Sequence, residues 1–255
     1  MKFSFLIVFS LIGFIMMQDQ LSAYQPGKWS PMDVYIEKGQ KGGPEKLILK
    51  DESGKVVESA VYKYNAEGRL LEEKYYNDAG KYTGRTEYVY AAQNLAQEIL
   101  YDANDKVVTR KELNYGKKTI DVLVLDADGK EIIRHYIRHN KMKITSGREY
   151  DQNSKDQFVV EYDKKGRAVK FKMIRSDGSS ISEILYSYSE LNRIIERKLS
   201  NDSFQSVCRY TYDVNGNISS YTYYNLTPAE WKKYRTVELQ YSGLESQKKI
   251  LSRND

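Results

Sequence analysis

The chain has 255 residues, of which 40% are hydrophobic and 29% charged, and its formal net charge is +5. This composition is typical of a folded protein and excludes a low-complexity or collagen-like chain. The small positive balance, with no run of five Lys or Arg, is compatible with an acidic partner and gives no reason to expect nucleic acid as one.

The N-terminal segment has the pattern of a bacterial export signal. A mostly apolar run over residues 3–17 follows Lys2, and it is shorter than the roughly 20 residues that a spanning helix needs. Leu21-Ser22-Ala23 is typical of a cleavage site, which predicts a signal peptide over 1–23. Tyr24 stands where a lipoprotein has its lipidated Cys, so we expect no lipid anchor. No later stretch is long and apolar enough to cross a bilayer, so we expect no stable membrane span after cleavage. An uncleaved N-terminal anchor is the alternative.

Cysteine usage agrees with an envelope location. Cys208 is the only cysteine of the sequence, so no internal disulfide can form. Export without disulfides is more typical of a bacterial envelope protein than of a small disulfide-rich domain. The predicted location is the periplasm, the cell surface or the medium, and Cys208 itself is interpreted as a small buried hydrophobic residue.

After an irregular, Pro- and Gly-containing lead-in over 24–46, one unit recurs across 47–225. It consists of an alternating strand, often a Tyr, then Asp or Asn, two residues, Gly, and another strand. The predicted turn residues are Asp51, Gly54, Asn65, Gly68, Asn77, Gly80, Asp126, Gly129, Asp163, Gly166, Asp213 and Gly216.

Turn chemistry explains these residue types. An Asp or Asn side chain accepts hydrogen bonds from backbone N–H groups ahead of it, and Gly tolerates the positive φ that closes such a hairpin. Where Gly is missing, its place is predicted to be held by Asn94, Asp105 and Asn192, residue types that also tolerate this conformation.

The spacing predicts an all-β fold of about 14–16 short antiparallel strands. Most turns lie 12 residues apart in the second half of the repeat, which leaves about eight residues per strand. Strong Tyr copies recur at roughly twice that period, so two strands and two turns form one predicted unit. We expect a repetitive β-meander, as a curled open sheet or a solenoid-like array.

The last region, 226–255, departs from the repeat. Thr227 and Pro228 have the pattern of a helix start, and Glu230 completes a capping box. We expect a short helix carrying Trp231 and Tyr234 that caps the last sheet edge, because open edges promote aggregation. A final strand over 236–241 and a frayed tail complete the prediction.

The repeat unit resembles the YD repeat of the Rhs family, whose motif is Tyr-Asp-x-x-Gly-Arg/Asn. Segments 162–167 and 212–217 match the motif fully, and 64–69 matches with Asn in place of Asp. The resemblance covers most of 47–225 and implies a β-hairpin array. In that family such arrays form shells or spirals, some of them linked to carbohydrate binding or toxin encapsulation. This chain is too short for an enclosing shell.

No local motif predicts catalysis, a cofactor or a metal, so we expect a non-enzymatic protein. His135 and His139 lie about 13 Å apart along a predicted strand, too far to grip one ion, and are interpreted as surface or packing residues. The Asp- and Gly-containing turns lack the first and last ligands of a calcium loop.

A mixture of Tyr, Lys and Arg gives the one candidate ligand-binding face. Aromatic rings stack on sugars, and cations meet sulfates, uronates or phosphates. Cross-strand Tyr ladders with solvated Lys and Arg explain the same residues without a ligand. The candidates are Tyr136, Arg138, Lys141, Lys143, Arg209, Tyr210, Tyr221 and Tyr223.

Three functions follow from these observations. The first is an exported binding or adhesion module for acidic polysaccharide or matrix, and the second is a structural envelope protein that assembles with other proteins. The third is an outer-membrane β-barrel, which strand number and period fit. Charged residues in mid-strand on both faces, and a C-terminus without an aromatic residue, weigh against the third.

Overall fold

The computed structural model describes residues 43–92, 94–141, 143–151 and 154–241. The predicted signal peptide, most of the lead-in and the tail from residue 242 lie outside these residues. Sixteen β-strands run through the described part of the chain. They are β1 Lys46–Asp51, β2 Val56–Tyr64, β3 Leu70–Asn77, β4 Tyr82–Ala91, β5 Asn94–Asp102, β6 Val107–Tyr115, β7 Thr119–Asp126, β8 Glu131–Asn140, β9 Lys143–Tyr150, β10 Lys155–Tyr162, β11 Ala168–Ile174, β12 Ser180–Tyr188, β13 Ile194–Asn201, β14 Gln205–Tyr212, β15 Ile218–Leu226 and β16 Trp231–Gln240.

The strands form a closed antiparallel barrel. Each strand pairs with its neighbours in sequence, and β1 pairs with β16 through the register Leu47 to Leu239 and Leu49 to Val237. The expected open sheet or solenoid is therefore wrong, although the fold is all-β and the number of strands lies in the predicted range. Hairpins are predictable because their sequence signals are local, whereas no feature of the repeat indicates that the first strand pairs with the last.

The predicted capping helix is also wrong, and no helix occurs in the described residues. Thr227 opens a four-residue turn between β15 and β16, where its Oγ1 accepts the N–H of Glu230 at 3.1 Å. This is the first bond of a capping box, but the chain then reverses and Trp231 begins a strand. Closure of the barrel removes the sheet edge that a capping helix would cover. In the described chain no helix has the length and hydropathy to span a bilayer.

Alternation along each strand divides the barrel into an inner wall and an outer wall. In β7 the side chains of Ile120, Val122 and Val124 are at most 1% exposed, whereas the residues between them are partly exposed. In β11 the buried Phe171 and Met173 alternate with lysines. Most of the buried apolar residues form one cluster, which lines the inner wall.

The outer wall carries charged residues at mid-strand. Lys170 and Lys172 point outward between the buried residues of β11, and Lys170 lies 3.5 Å from Glu183 on β12. Glu196 on β13 pairs with Arg209 on β14 at 3.0 Å. Solvated cross-strand pairs of this kind are typical of a sheet face in contact with water.

The turns show the geometry that their residue types favour. In the 163–167 turn, Gly166 has φ 75° and donates its N–H to the carbonyl of Asp163 at 2.9 Å. The Asp163 side chain accepts the N–H groups of Lys165 and Arg167, both at 2.9 Å. These bonds, above all the one from Arg167, hold the pKa of Asp163 below its ordinary value.

Degenerate turns follow the same rule with one exception. Asp105 and Asn192 both have φ 60°, as expected for residues that replace Gly. At the β4–β5 turn, however, the positive φ falls on Ala92, and Asn94 already belongs to β5. The residue with positive φ thus lies two positions earlier than expected, so this turn is shorter than the spacing from Tyr90 predicts.

A tyrosine ladder connects alternate hairpins at one end of the barrel. Each ladder Tyr is the last residue of a strand that ends there, or directly follows it, and donates its hydroxyl to a backbone carbonyl about 20 residues earlier in the chain. A cation from the preceding turn at that end lies over several of these rings. The hydroxyl bonds, at 2.6–3.1 Å, are Tyr64 to Pro44, Tyr162 to Ile144, Tyr188 to Ala168, Tyr212 to Ile194 and Tyr241 to Ile218. The cation–ring pairs are Arg69 over Tyr90, Lys143 over Tyr162, Arg167 over Tyr188 and Arg193 over Tyr212. The doubled Tyr period in the sequence thus corresponds to one hairpin per rung.

Candidate functional site

The structure separates the candidate ligand-binding residues into two groups. Tyr136 and Arg138 lie on the outer wall of β8, and the Tyr136 side chain is 39% exposed. Lys141 sits in the turn that follows, with φ 49°. Lys143 and Arg209 also point outward, from β9 and β14.

The other three candidates lie inside the barrel. Tyr210, Tyr221 and Tyr223 are 6%, 3% and 2% exposed. Their rings form a row in which neighbouring centroids are 5.9 and 5.7 Å apart. These tyrosines therefore contribute to packing of the inner wall and do not reach a ligand on the outer wall.

Two of the outward cations are already engaged by the protein. Lys143 donates its Nζ to the carbonyl of Gly166 at 2.9 Å and lies over the Tyr162 ring. Arg209 forms its ion pair with Glu196 and lies over the Tyr224 ring. Both are held by local contacts, so they are poor candidates for capture of an external group.

A depression on the outer wall crosses β8, β9 and β10. Its volume is about 130 Å³. Tyr136 lies opposite Arg148 and Arg138 opposite Ser146, while Gln157 and Val159 continue these two rows on β10. Apolar and hydrogen-bonding groups thus surround two guanidinium groups in one shallow cavity.

Small residues and a bulge open this depression. The β8–β9 register shifts between Arg138 and His139, opposite Thr145, whose Oγ1 donates to the Arg138 carbonyl at 3.3 Å. Ser146 then brings a short side chain to the outer wall, and Gly147 brings none to the inner wall. The ring of Phe158 fills the space above Gly147, where an added Cβ would meet ring atoms at 2.2–2.9 Å.

The inner wall also contains polar groups. Glu73 is fully buried and accepts the hydroxyl of Tyr75 at 2.8 Å and that of Tyr88 at 2.7 Å. Tyr75 is also hydrogen-bonded to Thr86 at 2.8 Å. These bonds satisfy a carboxylate that would otherwise be costly to bury.

Both histidines belong to the inner wall, where His135 is 3% and His139 is 7% exposed. His135 Nε2 lies 2.8 Å from Glu149 on the neighbouring strand. No set of three or more His, Cys, Asp or Glu side chains in the described residues is arranged to hold a metal ion. Both histidines thus pack inside the barrel, where His135 also bonds to Glu149.

Sequence reasoning missed Arg148, Ser146 and Gln157. The bulge at Thr145 moves Ser146 and Arg148 to the outer wall beside Tyr136, and strict alternation cannot reveal a bulge. Gln157 faces outward by the regular alternation of β10 and joins them through its pairing with Arg148. The available signal was Ser146-Gly147 in the middle of a strand pattern, because Gly within a strand is typical of a bulge or of a side chain that packs closely on the backbone.

The fold defines the class of this protein as a closed antiparallel β-barrel. No family model and no curated protein matches the chain. Among solved structures, a porin-like protein from Bacteroides uniformis is 15% identical, with a TM-score of 0.38 over 78% of this chain and 98% of that chain. A porin-like protein from Bacteroides vulgatus is 10% identical, with a TM-score of 0.35 over 78% of this chain and 99% of that chain.

These findings overturn the resemblance to the YD repeat. The hairpins close into a barrel, which a YD-repeat spiral does not do, and no family model supports the match. The resemblance is wrong because Tyr-Asp-x-x-Gly specifies one hairpin turn and says nothing about closure. The carbohydrate binding that the resemblance implied therefore has no support.

Proposed function

We propose that this chain is an exported, non-enzymatic and non-conducting β-barrel with a structural role in the bacterial envelope. The observation that carries the proposal is the polarity of the two walls. Val122, Ile137 and Phe158 on the inner wall are fully excluded from water, while Lys172 and Arg209 project from the outer wall. A conducting barrel needs the opposite arrangement, with a polar lumen and an apolar outer band.

The turns at the two ends support the same proposal. At one end the chain reverses over residues 163–167 and 213–217, and at the other over 126–130 and 201–204. Membrane barrels of this kind combine short turns at one end with longer extracellular loops at the other. Short turns at both ends are consistent with a barrel that stands in an aqueous compartment.

Assembly would use the outer wall. The closed strand order leaves no strand edge free among the described residues, so addition of strands from another chain is not available. Partners in the envelope would therefore meet charged side chains such as Lys172, Glu183 and Arg209. This predicts contacts that weaken as ionic strength rises.

A second candidate is an outer-membrane barrel, and one specific observation favours it. The barrel is closed, fully antiparallel and has an even number of strands, sixteen, as single-chain outer-membrane barrels do. Export of the chain, which the apolar segment over residues 3–17 predicts, is common to both candidates.

Fractionation of bacteria that express the full-length chain separates the two candidates. We expect carbonate washing to release the protein from the membrane pellet, and the purified protein to stay monodisperse without detergent. We also expect no conductance steps in a planar bilayer, with a known porin as positive control. Retention in carbonate-washed membranes together with ion conductance would replace the first candidate with the second.

A further inference from the structure

The depression across β8–β10 contains two arginines without an ion pair, unlike Arg134 on the same strand and Arg209 elsewhere on the outer wall. Arg134 lies 3.3 Å from Glu131, and Arg209 lies 3.0 Å from Glu196. Arg138 and Arg148, in contrast, have no carboxylate oxygen within 4.0 Å anywhere in the described chain. The side-chain partner of Arg148 is the Tyr150 hydroxyl, at 3.5 Å.

The strands around the depression explain why no carboxylate reaches these two arginines. On β7, Asp121 is directed to Arg134, at 3.9 Å. Glu149 and Asp156, on β9 and β10, point to the inner wall and are 6% and 7% exposed. On the far side Glu161 lies 4.0 Å from Lys170. Among the described residues, neither guanidinium group of the depression therefore has an ion-pair partner within 4.0 Å.

The two guanidinium groups can converge on one anion. Arg148 lies directly opposite Tyr136, and Arg138 is two residues further along β8. Diagonal positions of this kind are about 7–8 Å apart at the backbone, a span that two arginine side chains close easily. Ser146 and Gln157 add a hydroxyl and an amide donor within the same cavity.

We infer that this depression is a binding site for a phosphate monoester or inorganic phosphate. The planar guanidinium fork matches the oxygens of a phosphate group, and two forks with neutral donors around them suit its double charge. The exposed Tyr136 ring forms one side of the cavity, where it would contact the organic part of a monoester. The cavity of about 130 Å³ has room for one such group.

Titration calorimetry of the full-length protein in low salt, with inorganic phosphate as the probe, tests this site. We expect saturable binding that weakens as salt is added, because both charges are exposed. Arg138→Gln/Arg148→Gln is expected to weaken binding at least tenfold, since each arginine contributes charge-assisted hydrogen bonds. Arg148→Lys keeps the charge but loses the fork, and is expected to weaken binding several-fold.

Arg134→Gln is the control for general charge, because it removes one guanidinium group from β8 at a position outside the depression. We expect it to change phosphate binding less than twofold. Thermal unfolding by circular dichroism confirms that each variant is folded before binding is compared. An equal loss of binding in Arg134→Gln and in the double variant would overturn the inference.

A second arm separates the sources of the phosphate. Vesicles of phosphatidylcholine with phosphatidic acid are compared with vesicles of phosphatidylcholine alone. Retention on the acidic vesicles that is lost in the double variant supports a lipid headgroup as the ligand. Phosphate binding without vesicle retention supports a soluble phosphate. Binding of neither probe would refute the site.

Discussion

The contact between Gly147 on β9 and Phe158 on β10 gives the sharpest prediction about the inner wall. The two residues are direct cross-strand partners, and the Phe158 side chain is fully buried. A Cβ at position 147 would lie 2.2 Å from Cζ and 2.5 Å from Cε1 of the ring. Both separations are far inside van der Waals contact, so the ring or the strand must move.

Gly147→Ala is expected to lower the free energy of unfolding by about 1–2 kcal/mol. Overpacking of a buried site costs about 1–3 kcal/mol. The smaller conformational freedom of Ala in the unfolded chain offsets about 0.4–1 kcal/mol of this loss. Urea denaturation followed by circular dichroism gives the difference directly, and Ser146→Ala on the outer wall is the control, with a change under about 0.5 kcal/mol.

A double-mutant cycle tests whether the ring causes the loss. Phe158→Leu alone is expected to destabilise the protein by about 1 kcal/mol or more, because it leaves space in a packed interior. In the Gly147→Ala/Phe158→Leu variant the new methyl group occupies part of that space, so the double variant should lose at least about 1 kcal/mol less than the sum of the single variants. A neutral or stabilising Gly147→Ala, or strict additivity, would refute the contact.

Three further predictions concern the turns and the tyrosine ladder. Asn192→Gly is expected to stabilise the protein by up to about 1 kcal/mol in urea denaturation, because Asn192 has φ 60° and Gly adopts this conformation without strain. Tyr188→Phe removes the hydroxyl bond to the Ala168 carbonyl and should cost about 1 kcal/mol, whereas the exposed Tyr136→Phe should cost less than about 0.5 kcal/mol. Because the pKa of Asp163 is lower in the folded protein than in the unfolded chain, the ionised carboxylate stabilises the fold at pH values above the unfolded pKa, near 4. This stabilisation is lost as the pH falls through the folded pKa. The stability of the wild type should therefore fall below pH 4 more steeply than that of Asp163→Asn, and parallel pH profiles would contradict this assignment.

Local chemistry made the hairpins predictable from the sequence. The Asp or Asn at the start of each turn and the Gly three residues later determine backbone conformations that do not depend on the rest of the molecule, as the turn from Asp213 to Gly216 illustrates. Strands were predictable because apolar and charged residues alternate with the pleat, as in Val169-Lys170-Phe171-Lys172-Met173.

Closure and local irregularities were not predictable in this way. The pairing of Leu47 with Leu239 joins residues at opposite ends of the repeat, and nothing in either strand specifies its partner. Thr227 and Glu230 formed a capping-box bond without a helix, since neighbouring strands override a weak local preference. At the candidate site, Tyr136 and Arg138 were identified from composition, but Arg148 joins them only because of the β-bulge.

The polarity of the two walls is tested most directly by lysine substitution at two adjacent residues of β7. Val122 is fully buried on the inner wall, and Leu123 faces outward between Glu112 and Arg134 of the neighbouring strands. We expect Val122→Lys to lower the free energy of unfolding in detergent-free buffer by more than about 3 kcal/mol, and Leu123→Lys by less than about 1 kcal/mol. The reverse order, with Leu123→Lys the more damaging substitution and Val122→Lys tolerated, would mean that the outer wall faces lipid and would contradict the proposed function.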